Sequence, residues 1–141
     1  MAACRLISLA LAVSVLATPS PAQAPAWVVI YAASPPQRDF GIGASREALM
    51  SADVEARRRC AGPCPLRRDA PLPCGAVAQG VRDERFFNRW AGPAIETTQP
   101  VRTVGLGTGR TQPEAQAEAM RACAERERGV TCQVVGTVCA R

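Results

Sequence analysis

The 141-residue chain contains no lysine and no histidine, and all 17 of its basic side chains are arginine. Without histidine, imidazole general-base catalysis and imidazole metal ligation are excluded. Without lysine, so are Schiff-base chemistry and the P-loop lysine. Aromatic residues make up only 4% of the chain, too little for a platform on which nucleic-acid bases stack. Carboxylates are the acid–base groups that remain. Asp83-Glu84 and Glu125/Glu127 are the candidate pairs, but each lies among arginines, as exposed ion-pairing side chains do. A glycosidase-type pair needs carboxylates on opposite sides of a cleft, and nothing in the pattern predicts one. No catalytic residue, metal ligand or cofactor is assigned.

The chain opens with one positive charge at Arg5, a run of small and apolar residues from Leu6 to Ala17, and the small-residue stretch Thr18-Pro19-Ser20-Pro21-Ala22-Gln23-Ala24. That order reads as a secretory signal peptide. The apolar run falls short of the roughly 20 residues a membrane span needs. The expected leader is residues 1–22, with a cut after Ala24 as the alternative, and 23–141 is a single domain. The protein is then exported, to the periplasm or the exterior, with no membrane span once the leader is removed.

Cys4 goes with the leader, leaving Cys60, Cys64, Cys74, Cys123, Cys132 and Cys139. Exported thiols meet an oxidising environment, and an even count fits three bridges among 15 possible connectivities. Zinc sites and thioredoxin-like centres want Cys-x-x-Cys, and no pair here has that spacing. All six are expected to form structural disulfides. Connectivity stays open; the least strained pattern joins Cys64 to Cys74 and Cys132 to Cys139, so that Cys60 and Cys123 cross between the halves.

The chain reads as one unit written twice. Ala52 to Ala61 aligns with Ala115 to Ala124, matching at three alanines, a glutamate, an arginine and a cysteine, and Phe40-Gly41-Ile42-Gly43 answers Val104-Gly105-Leu106-Gly107. Repeat one spans about 27–78, a connection 79–100, and repeat two about 101–141. Each unit reads as strand, helix, strand. Trp27 to Tyr31 and Val101 to Leu106 have strand character, as do Cys74 to Ala78 and Cys132 to Val138. Ser45 is expected to cap the first helix, stopped by Gly62-Pro63. Thr111 and Glu114 form a capping box for the second, which Gly129 is placed to end. The fold class is α+β: two pseudo-repeats giving a small antiparallel sheet with two Ala-rich helices, crosslinked by disulfides. Alanine buries little area, so the core is thin and the bridges matter.

This order of Trp-bearing strand, Gly-apolar-Gly, Ala-rich helix and cysteines resembles the bacterial family called domain of unknown function 4189. The resemblance runs from Trp27 to Ala140 and rests on Glu55-Ala56 to Cys60, Glu114-Ala115 to Cys123, Cys132-Gln133-Val134-Val135 and Cys139-Ala140. It implies a small exported protein and brings no activity with it. The chain departs from the family where Pro63 to Pro73 replaces a regular strand.

Arg57-Arg58-Arg59, with Arg67 and Arg68, makes the densest positive patch. Arginine forks suit carboxylates and phosphates, although a solvated helix end favoured by its dipole explains the same residues. Gly105-Leu106-Gly107-Thr108-Gly109 lacks the spacing and the lysine of a nucleotide loop and is expected to be a strand-to-helix turn. Phe86, Phe87 and Trp90 lie in the charged connection and are candidates for partner binding. The functional expectation is a non-enzymatic binding module, of the kind an envelope inhibitor or immunity protein would be. Its partner is an unknown protein or envelope component; nucleic acid is not expected. A small envelope hydrolase using carboxylates, and association with an anionic cell-wall polymer, are the alternatives.

Overall fold

Residues 25–82 and 100–141 are described in a computed structural model of the chain. The elements are β1 (Trp27–Ala32), β2 (Phe40–Ser45), α1 (Leu49–Arg59), β3 (Leu66–Ala70), β4 (Cys74–Arg82), β5 (Val101–Gly109), α2 (Gln112–Ala124) and β6 (Val130–Cys139). They build two antiparallel three-stranded sheets, ordered β2-β1-β3 and β5-β4-β6. The α+β reading with two Ala-rich helices therefore holds. Each unit is strand, strand, helix, strand, with its first strand at the centre of its sheet.

The layers follow from the period-two alternation of the two central strands. On β1, Val28, Ile30 and Ala32 enter the core between the sheets, where they meet Val77, Val101, Val104 and Leu106. The alternate residues Val29 and Tyr31 pack on Ala52 and Ala56 of α1. On β4, Cys74, Ala76 and Ala78 face Ala115, Ala119 and Cys123 of α2. The order through the molecule is α1, first sheet, second sheet, α2. The largest fully buried side chains are Ile30 and valines, which is the thin interior that an alanine-rich composition implies.

Helix and sheet meet through absent side chains. A Cβ on Gly41 or Gly43 would overlap the carbonyl oxygens of Ala56 and Ala52; one on Gly105 or Gly107 would overlap those of Ala119 and Ala115. The repeated Gly-apolar-Gly is thus the surface on which each helix backbone rests, and the aligned alanines complete the seam.

Several expectations are corrected. The strand beginning at Cys74 pairs with β5 and β6, so it opens the second unit instead of closing the first. It continues to Arg82, beyond the expected start of the connection at Gln79. The third strand of the first unit does exist, as β3, where the Pro-rich stretch argued against one; Leu66–Ala70 lies clear of the prolines and pairs with β1. Ser45 is not the helix cap. Its hydroxyl accepts from the amides of Glu47 and Ala48 in the preceding turn, and Ala48 is the N-cap without a side-chain bond. Thr111 does cap α2, accepting from the amide of Glu114, but the helix ends at Ala124 with Glu125 as its C-cap, and Gly129, at a positive φ of 79°, belongs instead to the turn ahead of β6.

The bridges join Cys60 to Cys64, Cys74 to Cys139 and Cys123 to Cys132. The expected partners of all six were different. With four cysteines in the second unit and two in the first, every bridge closes within a unit, and the expected crossing of Cys60 to Cys123 falls with the unit boundary it assumed. Two bridges correspond: Cys60 and Cys123, one turn past the buried alanines, tie a helix end to Cys64 just ahead of β3 and to Cys132 near the start of β6. The third joins Cys74 and Cys139, which are direct neighbours in the β4–β6 register.

Candidate functional site

The arginine patch is largely committed to acids. Arg59 donates to Glu55 at 2.6 Å and to the carbonyl of Ile42 at 3.0 Å. Glu55 also accepts, at 3.4 Å, from the amide of Ala44. Ile42 and Ala44 belong to β2, an outer strand of its sheet, so one glutamate–arginine pair occupies an N–H and a C=O that would otherwise stay unpaired. The second unit repeats the device. Glu118, the counterpart of Glu55, accepts from the amide of Thr108 at 2.6 Å, and Arg68 donates to Glu118 and to the carbonyl of Leu106 at 3.2 Å. The residue matching Arg59 in α2 is Ala122, which cannot donate. Arg68 comes from β3 of the first unit and takes its place, so this contact also fastens the units together.

A second cluster surrounds Tyr31. Its hydroxyl donates to Asp53 at 2.6 Å, and the guanidiniums of Arg57 and Arg67 lie 5.1 and 5.8 Å from its ring centroid. Arg57 also bonds Asp53 at 2.8 Å. Burial, with the bond to Asp53, pushes the Tyr31 phenol above its ordinary range. The bond from Tyr31, supported by Arg57 and Arg67, holds the Asp53 carboxyl below its usual range. Burial would lift Glu118, but the Thr108 amide and Arg68 outweigh it, and its carboxyl is lowered too. Both are fixed as acceptors, unlike a carboxyl raised to act as a general acid. Glu125 pairs with Arg121 at 3.1 Å and Glu127 with Arg102 at 3.8 Å, as surface ion pairs. Among the described residues, no group of three metal-ligating side chains converges.

The molecule has two poles. Gly41 lies under the last turn of α1, Gln79 donates to the carbonyl of Arg38 at 2.8 Å, and Val81 pairs with Val101. The carboxyl ends of both helices, the β1–β2 turn and the facing ends of β4 and β5 therefore share one pole. Arg57 and Arg58 are there and exposed, whereas the guanidinium of Arg59, on the same last turn of α1, turns back to Glu55 and the Ile42 carbonyl and lines the cleft described next. Phe86, Phe87, Trp90 and Asp83-Glu84 lie outside the described residues. At the opposite pole is an open cleft of about 950 Å³, lined by Arg46, Glu47, Glu55, Arg59, Gln112, Thr137 and Arg141 among others.

Sequence reasoning missed the Tyr31–Asp53 cluster, the two glutamate–arginine closures and the cleft. Glu55 and Glu118 were visible as an identical pair in the repeat, a signal that could have marked them. The cleft forms where the two units stack, and no local spacing encodes it.

A family model described as "Domain of unknown function (DUF4189)" matches residues 27–139. No curated protein and no solved structure matches the chain.

Proposed function

We propose a role for this chain, which belongs to the DUF4189 family: it is an exported, non-enzymatic interaction module. Its passive, crosslinked frame presents one pole to a protein or envelope partner, as an inhibitor or immunity-like protein would. The observation that carries this reading is the adjacency of Val81 and Val101 at the pole where α1 ends in Arg57, Arg58 and Arg59. The connection that bears Phe86, Phe87 and Trp90 joins these two strand ends, at the pole where Arg57 and Arg58 are exposed. Aromatic and arginine side chains are the types that dominate binding hot spots.

The hydrolase alternative is disfavoured by Asp53 and Glu118, which are both lowered and engaged, where acid catalysis would want a raised carboxyl beside a cleft. The test is capture from envelope extracts with the oxidised protein, beside Phe87→Ala/Trp90→Ala and Arg58→Ala variants. Loss of capture by both variants is expected. Undiminished capture by the aromatic variant rejects this pole as the binding surface. Capture that disappears in modest salt, with the aromatic variant unaffected, replaces the reading with association to an anionic polymer.

A further inference from the structure

We propose that the cleft at the opposite pole is a second binding site, and that it takes a short peptide segment carrying a carboxylate. Four separate chain segments build it: the turn after β2, α1, the start of α2, and the end of β6 with the residues that follow. Its volume of about 950 Å³ is at the upper end of the range for ligand sites.

The lining separates into groups already engaged and groups that are not. Arg59 and Glu55 hold each other and close the β2 strand. Arg46 donates its Nε to the backbone oxygen of Arg141 at 2.8 Å, and its two terminal nitrogens make no hydrogen bond among the described residues. The guanidinium of Arg141 and the carboxylate of Glu47 have no side-chain partner among the described residues. The Ser45 hydroxyl accepts from the Glu47 amide at 3.1 Å, and the Thr137 hydroxyl from Gln116 at 3.1 Å. Each hydroxyl keeps its own proton to donate.

A ligand matching this set has one carboxylate for the arginine forks, which bind it bidentately. It also has N–H groups for Glu47, and carbonyls for Ser45, Thr137 and the Gln112 amide. A peptide has all three. A polyphosphate has only the first, and its repeated charge meets Glu47 and Glu55. Apart from Arg59, whose hydrogen bonds to Glu55 and Ile42 already occupy it, the site shares no residue with the pole proposed above for the partner, and its test is independent of that reading.

The test is an NMR titration of the isotope-labelled, oxidised protein with acetyl-Ala-Glu-Ala-amide, its Gln counterpart, and inorganic tripolyphosphate. Saturable amide shifts at Arg46, Gln112 and Thr137 are expected with the Glu peptide. Binding should be about tenfold weaker with the Gln peptide, and about tenfold weaker again in Arg46→Gln, the order expected for one charge-assisted hydrogen-bonded contact. Arg46→Gln is exposed and should leave the remaining spectrum unchanged. Equal binding of the two peptides, tighter binding of tripolyphosphate, or an unaltered titration in Arg46→Gln would each overturn the assignment.

Discussion

Substituting Gly107 by alanine tests how helix and sheet are joined. A Cβ there would overlap the carbonyl oxygen of Ala115 and the amide of Ala119, and would come 2.9 Å from the Ala119 Cα. All three are backbone atoms inside α2. No side chain can rotate away, so relief means lifting the helix and opening the seam where Ala115 and Ala119 meet Ala76 and Ala78. Overpacking a core costs about 1–3 kcal/mol, and with rigid backbone on the far side we expect the top of that range, about 3 kcal/mol. For a domain of about 100 residues that lowers Tm by roughly 12–24 °C. The sign is informative, because at a roomy site glycine-to-alanine stabilises by about 0.4–1 kcal/mol through the unfolded chain. The assay is a thermal melt under non-reducing conditions, followed by circular dichroism. Gly62→Ala is the control, since its Cβ would meet only the flexible Asp39 carboxylate at 3.2 Å. A Gly107→Ala protein melting within about 4 °C of the parent, on the same scale, would refute the close seam; Gly43→Ala in the first unit should behave as Gly107→Ala does.

The bridges enclose loops with sequence separations of 65, 9 and 4 residues, and chain entropy ranks their loss at about 4, 2.6 and 2 kcal/mol. Urea titrations of the three paired Cys→Ser variants should follow that order, and Cys60→Ser/Cys64→Ser proving the most damaging would contradict it. Tyr31 is the chain's single tyrosine, so ultraviolet titration reads it directly. Its phenol should ionise above the ordinary value of about 10, with Asp53→Asn moving the midpoint back down; an unshifted midpoint in the folded parent would exclude the buried bond. The raised phenol contributes stability below its unfolded value, lost as pH climbs through the folded one. The lowered Asp53 and Glu118 carboxyls contribute above about pH 4, lost as pH falls through their folded values. Asp53→Asn and Glu118→Gln should therefore each flatten the acid limb of the stability profile. A double-mutant cycle on Arg68→Ala and Glu118→Gln should give a coupling near 1 kcal/mol after allowance for solvent. That should exceed the coupling for Arg59 and Glu55, whose side chains are both at least 40% exposed.

What could be read from the sequence was the local and the repeated. The β-branched and aromatic run from Trp27 to Tyr31 gave β1, the Thr111–Glu114 spacing gave the start of α2, and identical residues at matched positions gave the equivalence of α1 and α2. Connectivity and the unit boundary depend on long-range register. Cys74 faces Cys139 only because β4 is the central strand of the second sheet, and spacing from Cys64 says nothing of that. The Pro-rich segment misled because prolines flank β3 without entering it. At the candidate site, the arginines were legible as a patch but their partners were not. Arg68 reaches Glu118 across 50 residues, a distance that no helical or strand periodicity spans.

Because the four seam glycines meet helix backbone, each joint is specified without using the outward faces of the helices. Met50 and Val54 are 75% and 45% exposed on α1, and nothing in the joint depends on them. Such a frame can be redecorated there residue by residue while its interior stays as it is, which makes it a natural carrier for grafted recognition sequences.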